Sequence, residues 1–167
     1  ANTTEEVDRS DSEELFRTIS QIDQKLEQEG NSRSEKVQLL LERGLLYMSA
    51  MNLNNAIDDF TRVTELDSDR YLAWFSRAYA RYLMVRTVTE MQTDDVPDPE
   101  QINLSGATGQ SGGQSDMKQE TILDYKLVID DLEKTVEIKP DFEFAWFNLG
   151  YMNNLLRNFD QAIENYS

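Results

Sequence analysis

Apolar positions recur along most of this chain at helical rather than strand spacing. Leu15, Ile19, Ile22 and Leu26 fall three or four residues apart, with Phe16 beside them, before Gly30-Asn31 ends the run. Residues at that spacing share one face of a helix, so the pattern predicts a single amphipathic helix. Ser10 with Glu13, or Asp11 with Glu14, has the spacing of a capping box and marks its start. The helix carries no small residue paired with an aromatic, and is read as a cap stacked on the helices after it.

Beyond residue 34 the pattern repeats. Residues 37–70 carry Gly44, Tyr47, Ala56, Ile57, Phe60 and Leu66, and residues 143–167 carry Trp146, Leu149, Gly150, Phe159, Ala162, Ile163 and Tyr166. Gly to Ala is twelve residues in both copies, and each Ala is followed four residues later by an aromatic ring. A small residue lets two helices approach closely while large rings fill the space between them.

A third copy is split. Tyr71, Trp74 and Ala78 read as its first helix, and Leu127 to Pro140 resembles the stretch from Ile57 onward. Trp74 and Trp146 stand 72 residues apart. An uninterrupted repeat of this kind would put about 34 between them, so an insert of about 38 residues sits at the turn inside this copy. Its flanks, 86–92 and 116–123, can prolong the two helices. Its centre, Thr93 to Ser115, holds Pro97, Pro99, Gly106, Gly109, Gly112 and Gly113, the composition of a flexible loop.

These residues resemble the tetratricopeptide repeat, a helix–turn–helix unit of about 34 residues. The resemblance covers about 96 of the 167 residues. It implies an all-α fold: a right-handed α-solenoid of antiparallel helix pairs, with about seven helices. Residues 1–34 would form a tail and capping helix. The repeats would occupy 35–167, as 37–70, 71–142 with an insert at about 87–123, and 143–167 incomplete. Ser167 falls inside the second helix of the last repeat, so either further repeats or a second copy would cover that open C-terminal repeat.

Composition narrows the chemistry. The chain has no cysteine and no histidine. Disulfides, thiolate nucleophiles, imidazole bases and the usual transition-metal ligands are therefore excluded. A formal charge of −16 argues against a phosphate-backbone footprint, hence against nucleic acid. No apolar run approaches the roughly 20 residues that cross a bilayer. Residues 1–34 carry nine acidic and four basic side chains, and residues 87–123 seven and one, so most of the charge lies outside the repeats.

The resemblance also implies a working surface. First helices of successive repeats line a concave groove that holds a peptide or partner segment. Carried over by position, the lining includes Leu41, Glu42 and Leu45 from repeat one, Phe75, Tyr79 and Tyr82 from repeat two, and Phe147, Asn148 and Tyr151 from repeat three. Such a groove favours an apolar or aromatic segment. The expectation is a protein-binding scaffold, not an enzyme, with no cofactor and no metal. The alternative is a spacer or self-assembly module with no separate ligand. The family's carboxylate clamp for chaperone tails is not implied, because its positions fall on Leu41, Leu45, Ser76, Phe144 and Asn148. Ser115 and Lys118 have the spacing of a serine–lysine acyl enzyme but lack the companion motifs. Asp94, Asp95, Asp98 and Glu100 lack the ligand spacing of a calcium loop.

Overall fold

The structure is a computed structural model that describes the backbone of residues 3–93 and 112–166, and the side chains of residues 9–89 and 120–158. It contains six helices and no strand among the described residues: α1 (Thr3–Glu27), α2 (Arg33–Ser49), α3 (Leu53–Leu66), α4 (Tyr71–Thr93), α5 (Gly112–Ile138) and α6 (Glu143–Tyr166). Each helix packs on the one before it, and α2 also touches α4. This is the neighbour-to-neighbour stacking of a helical repeat protein.

The start of α1 differs from the capping boxes read in the sequence. Ser10, Asp11, Glu13 and Glu14 lie inside the helix, not at its end. No Gly or Pro precedes Gly30, so nothing in the chain stops the helix from running back to Thr3. A genuine box forms one helix later: Ser32 Oγ accepts from the Glu35 amide at 3.2 Å, and the Ser32 amide donates to Glu35 Oε2 at 2.6 Å. Ile19 and Ile22 of α1 are buried, while Arg17, Gln21, Gln24 and Gln28 face solvent.

Two side-chain pairs recur at the repeat offset and lock the helix pairs. Arg43 donates from Nε and Nη2 to Asp59 at 2.8 and 2.7 Å. Arg77 makes the same fork with Asp131 at 3.0 and 2.7 Å. The arginines are 34 residues apart and the aspartates 72, the difference being the insert. Likewise, Trp74 Nε1 donates to the Ser68 carbonyl at 2.9 Å and Trp146 Nε1 to the Pro140 carbonyl at 2.8 Å. A bidentate Arg–carboxylate fork fixes angle as well as distance, so each one sets the relative orientation of its two helices. Hydrogen bonding to Asp59 raises the pKa of Arg43, with burial opposing it and Asp23 adding to it.

Two cores result. Val37, Leu40, Leu41, Ala56, Phe60 and Val63 lie in one with Ala73 and Ala80, and Ala78, Val85, Tyr125, Val128, Leu132 and Met152 lie in the other. Helix α4 contributes to both and joins them. The flanks of the insert do prolong α4 and α5, and by more than the loop boundary allowed. Thr93 ends α4, and Gly112 to Ser115 belong to α5. The rest of that loop, residues 94–111, lies outside the described residues.

The last repeat departs from expectation. Its first helix does not turn back near residue 158, and α6 instead runs unbroken for 24 residues. The count among the described residues is therefore six helices rather than about seven. In repeat one the turn needs Met51 at a left-handed φ of 56°, a conformation strained for any residue that carries a Cβ. In repeat three, Ala145, Leu149, Met152, Leu156, Phe159, Ile163 and Tyr166 fall alternately four and three residues apart. That period continues one apolar stripe past the expected turn, and α5, at 27 residues, is long enough to run beside all of it.

The small residues report the same change. A Cβ on Gly44 would stand 2.7 Å from Cε1 of Phe60, so the glycine is what lets the ring in. Ala78, its counterpart in repeat two, is 1 % exposed. At Gly150 nothing lies within 4 Å of a built Cβ. The close approach read for Gly150 does not form, because the helix that would make it has not folded back.

Candidate functional site

Helices α4 and α6 are the first helices of repeats two and three, and α5 lies between them as the second helix of repeat two. Where the three meet they enclose a cavity of about 250 Å³. Helix α4 supplies Phe75, Ala78, Tyr79 and Tyr82, α5 supplies Val128 and Leu132, and α6 supplies Phe147, Asn148, Tyr151 and Met152. Five of these ten side chains are aromatic rings and none is charged. Ala78, Val128, Leu132 and Met152 are buried and form the floor. Tyr79 and Tyr151, 47 % and 48 % exposed, stand at the rim with Phe147, which is 76 % exposed.

Two tyrosines bridge the facing helices. The rings of Tyr82 and Tyr151 meet edge to face, with centroids 6.2 Å apart at 85°, and their hydroxyls are 3.5 Å apart. The hydrogen bond with Tyr151, followed by burial, raises the Tyr82 hydroxyl to a pKa of about 12. That phenol stays neutral at any physiological pH, and the cavity presents the tyrosine hydroxyls and the Asn148 amide on an otherwise apolar wall. Asn148 donates from Nδ2 to the Phe144 carbonyl of its own helix at 2.6 Å, which fixes the orientation of its amide.

Of the nine residues named from the sequence, Phe75, Tyr79, Tyr82, Phe147, Asn148 and Tyr151 line this one cavity. The three from repeat one do not. Leu41 is 6 % exposed and packs in the first core with Val37 and Leu40. Glu42 and Leu45 lie on the surface of α2. Leu41, Phe75 and Phe147 hold the same repeat position, yet exposure rises from 6 % at Leu41 to 76 % at Phe147. The stack is closed around α2 and open at α6. The floor residues Val128, Leu132 and Met152 were not named from the sequence. Val128 and Leu132 sit 72 residues beyond Ala56 and Phe60, so the repeat register itself carried that signal.

A second cavity, of about 360 Å³, lies among α3, α4 and α5. Its lining mixes Ile57, Met84, Val85 and Val88 with Arg81, Glu120 and Asp124. Arg81 is already bound to Asp131 at 2.7 Å, so this corner offers no committed apolar seat. Among the described residues no group of three His, Cys, Asp or Glu side chains is placed to hold a metal. No helix there is long and apolar enough to cross a membrane. The acidic cluster Asp94, Asp95, Asp98 and Glu100, and the side chains of Ser115 and Lys118, lie outside the described residues.

Stacked helix pairs locked by a repeated Arg–Asp fork, with an aromatic cavity between successive first helices, define an all-helical repeat protein. No protein-family model matches the chain, and no curated protein does. Among solved structures it is similar to the crystal structure of MamA, at 19% identity and a TM-score of 0.39, over 94% of this chain and 87% of that one. A likeness this loose adds nothing to the helix pairing seen directly.

Proposed function

We propose that this chain is a tetratricopeptide-type interaction module, without catalysis of its own, whose cavity between α4 and α6 seats an apolar or aromatic anchor of a partner protein. The observation that carries this reading is the lining: five aromatic rings over an aliphatic floor, with no charge, around about 250 Å³. That volume accommodates one large side chain. A single buried aromatic anchor is also what dominates the energetics of many protein interfaces. The Tyr79 and Tyr82 hydroxyls at the mouth can meet the polar groups that flank such an anchor. Leu41, Glu42 and Leu45 take no part in this seat, whose floor is Ala78, Val128, Leu132 and Met152 beneath the rings.

The same reading treats residues 1–34 as a tail and cap, and residues 35–167 as the repeat unit. The polar outer side of α1, with Arg17, Gln21 and Gln24 in solvent, supports the cap. Selection of a displayed random peptide library on the intact protein tests the proposal. Enriched peptides should share one large apolar or aromatic residue, and alanine at that residue should weaken binding at least tenfold. A selection that enriches only basic peptides with no shared anchor would refute it.

A further inference from the structure

Helix α6 has a second open face, on the side away from the cavity. Trp146 is 51 % exposed there, and Gly150 and Asn153 are exposed beside it. The same positions in repeat one are Leu40, Gly44 and Tyr47, and that face of α2 is covered by α3. Its centre is Gly44, against which the Phe60 ring packs so closely that a methyl group would clash. Repeat two covers the same face of α4 with α5, placing Leu132 at the Phe60 position over Ala78. In repeat three the glycine is present and the tryptophan wall is held by its bond to Pro140, but no described helix covers them.

One further position says what kind of helix fits. Arg43 and Arg77, each next to the small residue, demand an aspartate on the covering helix, and find it in Asp59 and Asp131. The corresponding residue of α6 is Leu149. A carboxylate placed opposite Leu149 would be desolvated with no cation to meet it, whereas an apolar side chain there would be buried favourably. We propose that the Trp146–Gly150–Asn153 face of α6 docks an amphipathic helix of a partner protein, antiparallel to α6, with a bulky side chain over Gly150 and an apolar residue opposite Leu149 where α3 and α5 carry aspartate. The face continues an interface that the molecule already builds twice. It is separate from the α4–α6 cavity and does not depend on what that cavity holds.

The probe is a synthetic helix of residues 53–66 carrying Asp59→Leu, labelled for fluorescence anisotropy and titrated with the intact protein. It should bind, and the same peptide with Asp59 retained should bind several-fold more weakly. Gly150→Leu fills the seat and should weaken binding at least tenfold. Its thermal melt should be unchanged or raised, since no atom lies near the new Cβ. Tyr79→Ala with Tyr151→Ala, which dismantles the other cavity, should leave this affinity unaltered. Absence of binding, or equal binding to Gly150→Leu, would overturn the proposal. The chain has no cysteine, so Gly150→Cys with Tyr166→Cys gives an unambiguous cross-link test. A disulfide forming readily within one chain would show residues 159–166 filling the seat themselves, and one between chains would show a second copy filling it. Either result would also overturn it.

Discussion

Replacing Gly44 by alanine would put a methyl carbon 2.7 Å from Cε1 of Phe60 and 3.0 Å from its Cδ1. Phe60 is fully buried, so the ring has nowhere to retreat without moving Val63 or the α2–α3 packing. Alanine in place of a helical glycine gains about 1 kcal/mol from helix propensity. Overpacking a closed core costs about 1–3 kcal/mol. The balance for Gly44→Ala is a loss of up to about 2 kcal/mol. Gly150 occupies the same repeat position, and a methyl group there meets nothing within 4 Å. Gly150→Ala should therefore show only the propensity gain of about 1 kcal/mol. The two identical substitutions should separate by about 1–3 kcal/mol, with Gly150→Ala the more stable. Urea denaturation followed by circular dichroism resolves this, since a slope of about 2 kcal/mol per molar turns it into a midpoint difference of about 0.5–1.5 M. Equal midpoints, or Gly44→Ala above Gly150→Ala, would refute the claim that one position is closed by its helix pair and the other open.

Asp131 accepts from Arg77, which is 9 % exposed, and from Arg81, so Asp131→Ala should cost about 3–5 kcal/mol in urea denaturation by leaving two cations without their anion. Removing the exposed Arg62–Glu65 pair by Glu65→Ala should change stability in the same assay by less than about 0.5 kcal/mol. Hydrogen bonds from the Ser32 backbone and hydroxyl hold the Glu35 carboxyl below its ordinary 4.5. A depressed folded pKa means the capping box contributes fully above that value and fades as pH falls through the folded one, so Glu35→Gln should flatten this part of the acid stability profile. The Tyr82 hydroxyl is raised to about 12 by Tyr151, so its contribution is complete below 10 and lost as pH rises towards 12. Tyr151→Phe should bring tyrosinate formation by ultraviolet-difference titration closer to 10.

The parts of this fold legible in the sequence were those fixed by local periodicity and by spacing within a repeat. Gly44, Ala56 and Phe60 announced a helix pair, and Trp74 against Trp146 revealed the insert, because packing one helix on the next imposes those intervals. The straight run of α6 was less legible. Two patterns overlap in residues 143–166: the repeat spacing, which asks for a turn, and a continuous apolar stripe, which asks for none. Which prevails depends on how long α5 is, a tertiary fact. The site showed the same division. Residues from α4 and α6 were found because they share a repeat position facing the groove. Leu41 shares it too, but the stack closes over α2, so identical register gives burial in one repeat and exposure in the next. The Arg–Asp forks were readable all along in the offsets of 34 and 72 residues. They escape notice because charged residues on helices are usually solvated, and only their recurrence marks these as structural.

The claim that the aromatic cavity between α4 and α6 is the working surface meets its most direct test in one comparison. A peptide selected on the intact protein is titrated against wild type and against Tyr79→Ala with Tyr151→Ala, with the helical melt recorded for both. Both tyrosines are about half exposed, so their removal leaves the cores intact. Losing two rim rings of an anchor pocket should cost binding at least tenfold, about 1.4 kcal/mol, with the melt nearly unchanged. Undiminished affinity in a variant that melts like wild type would contradict it.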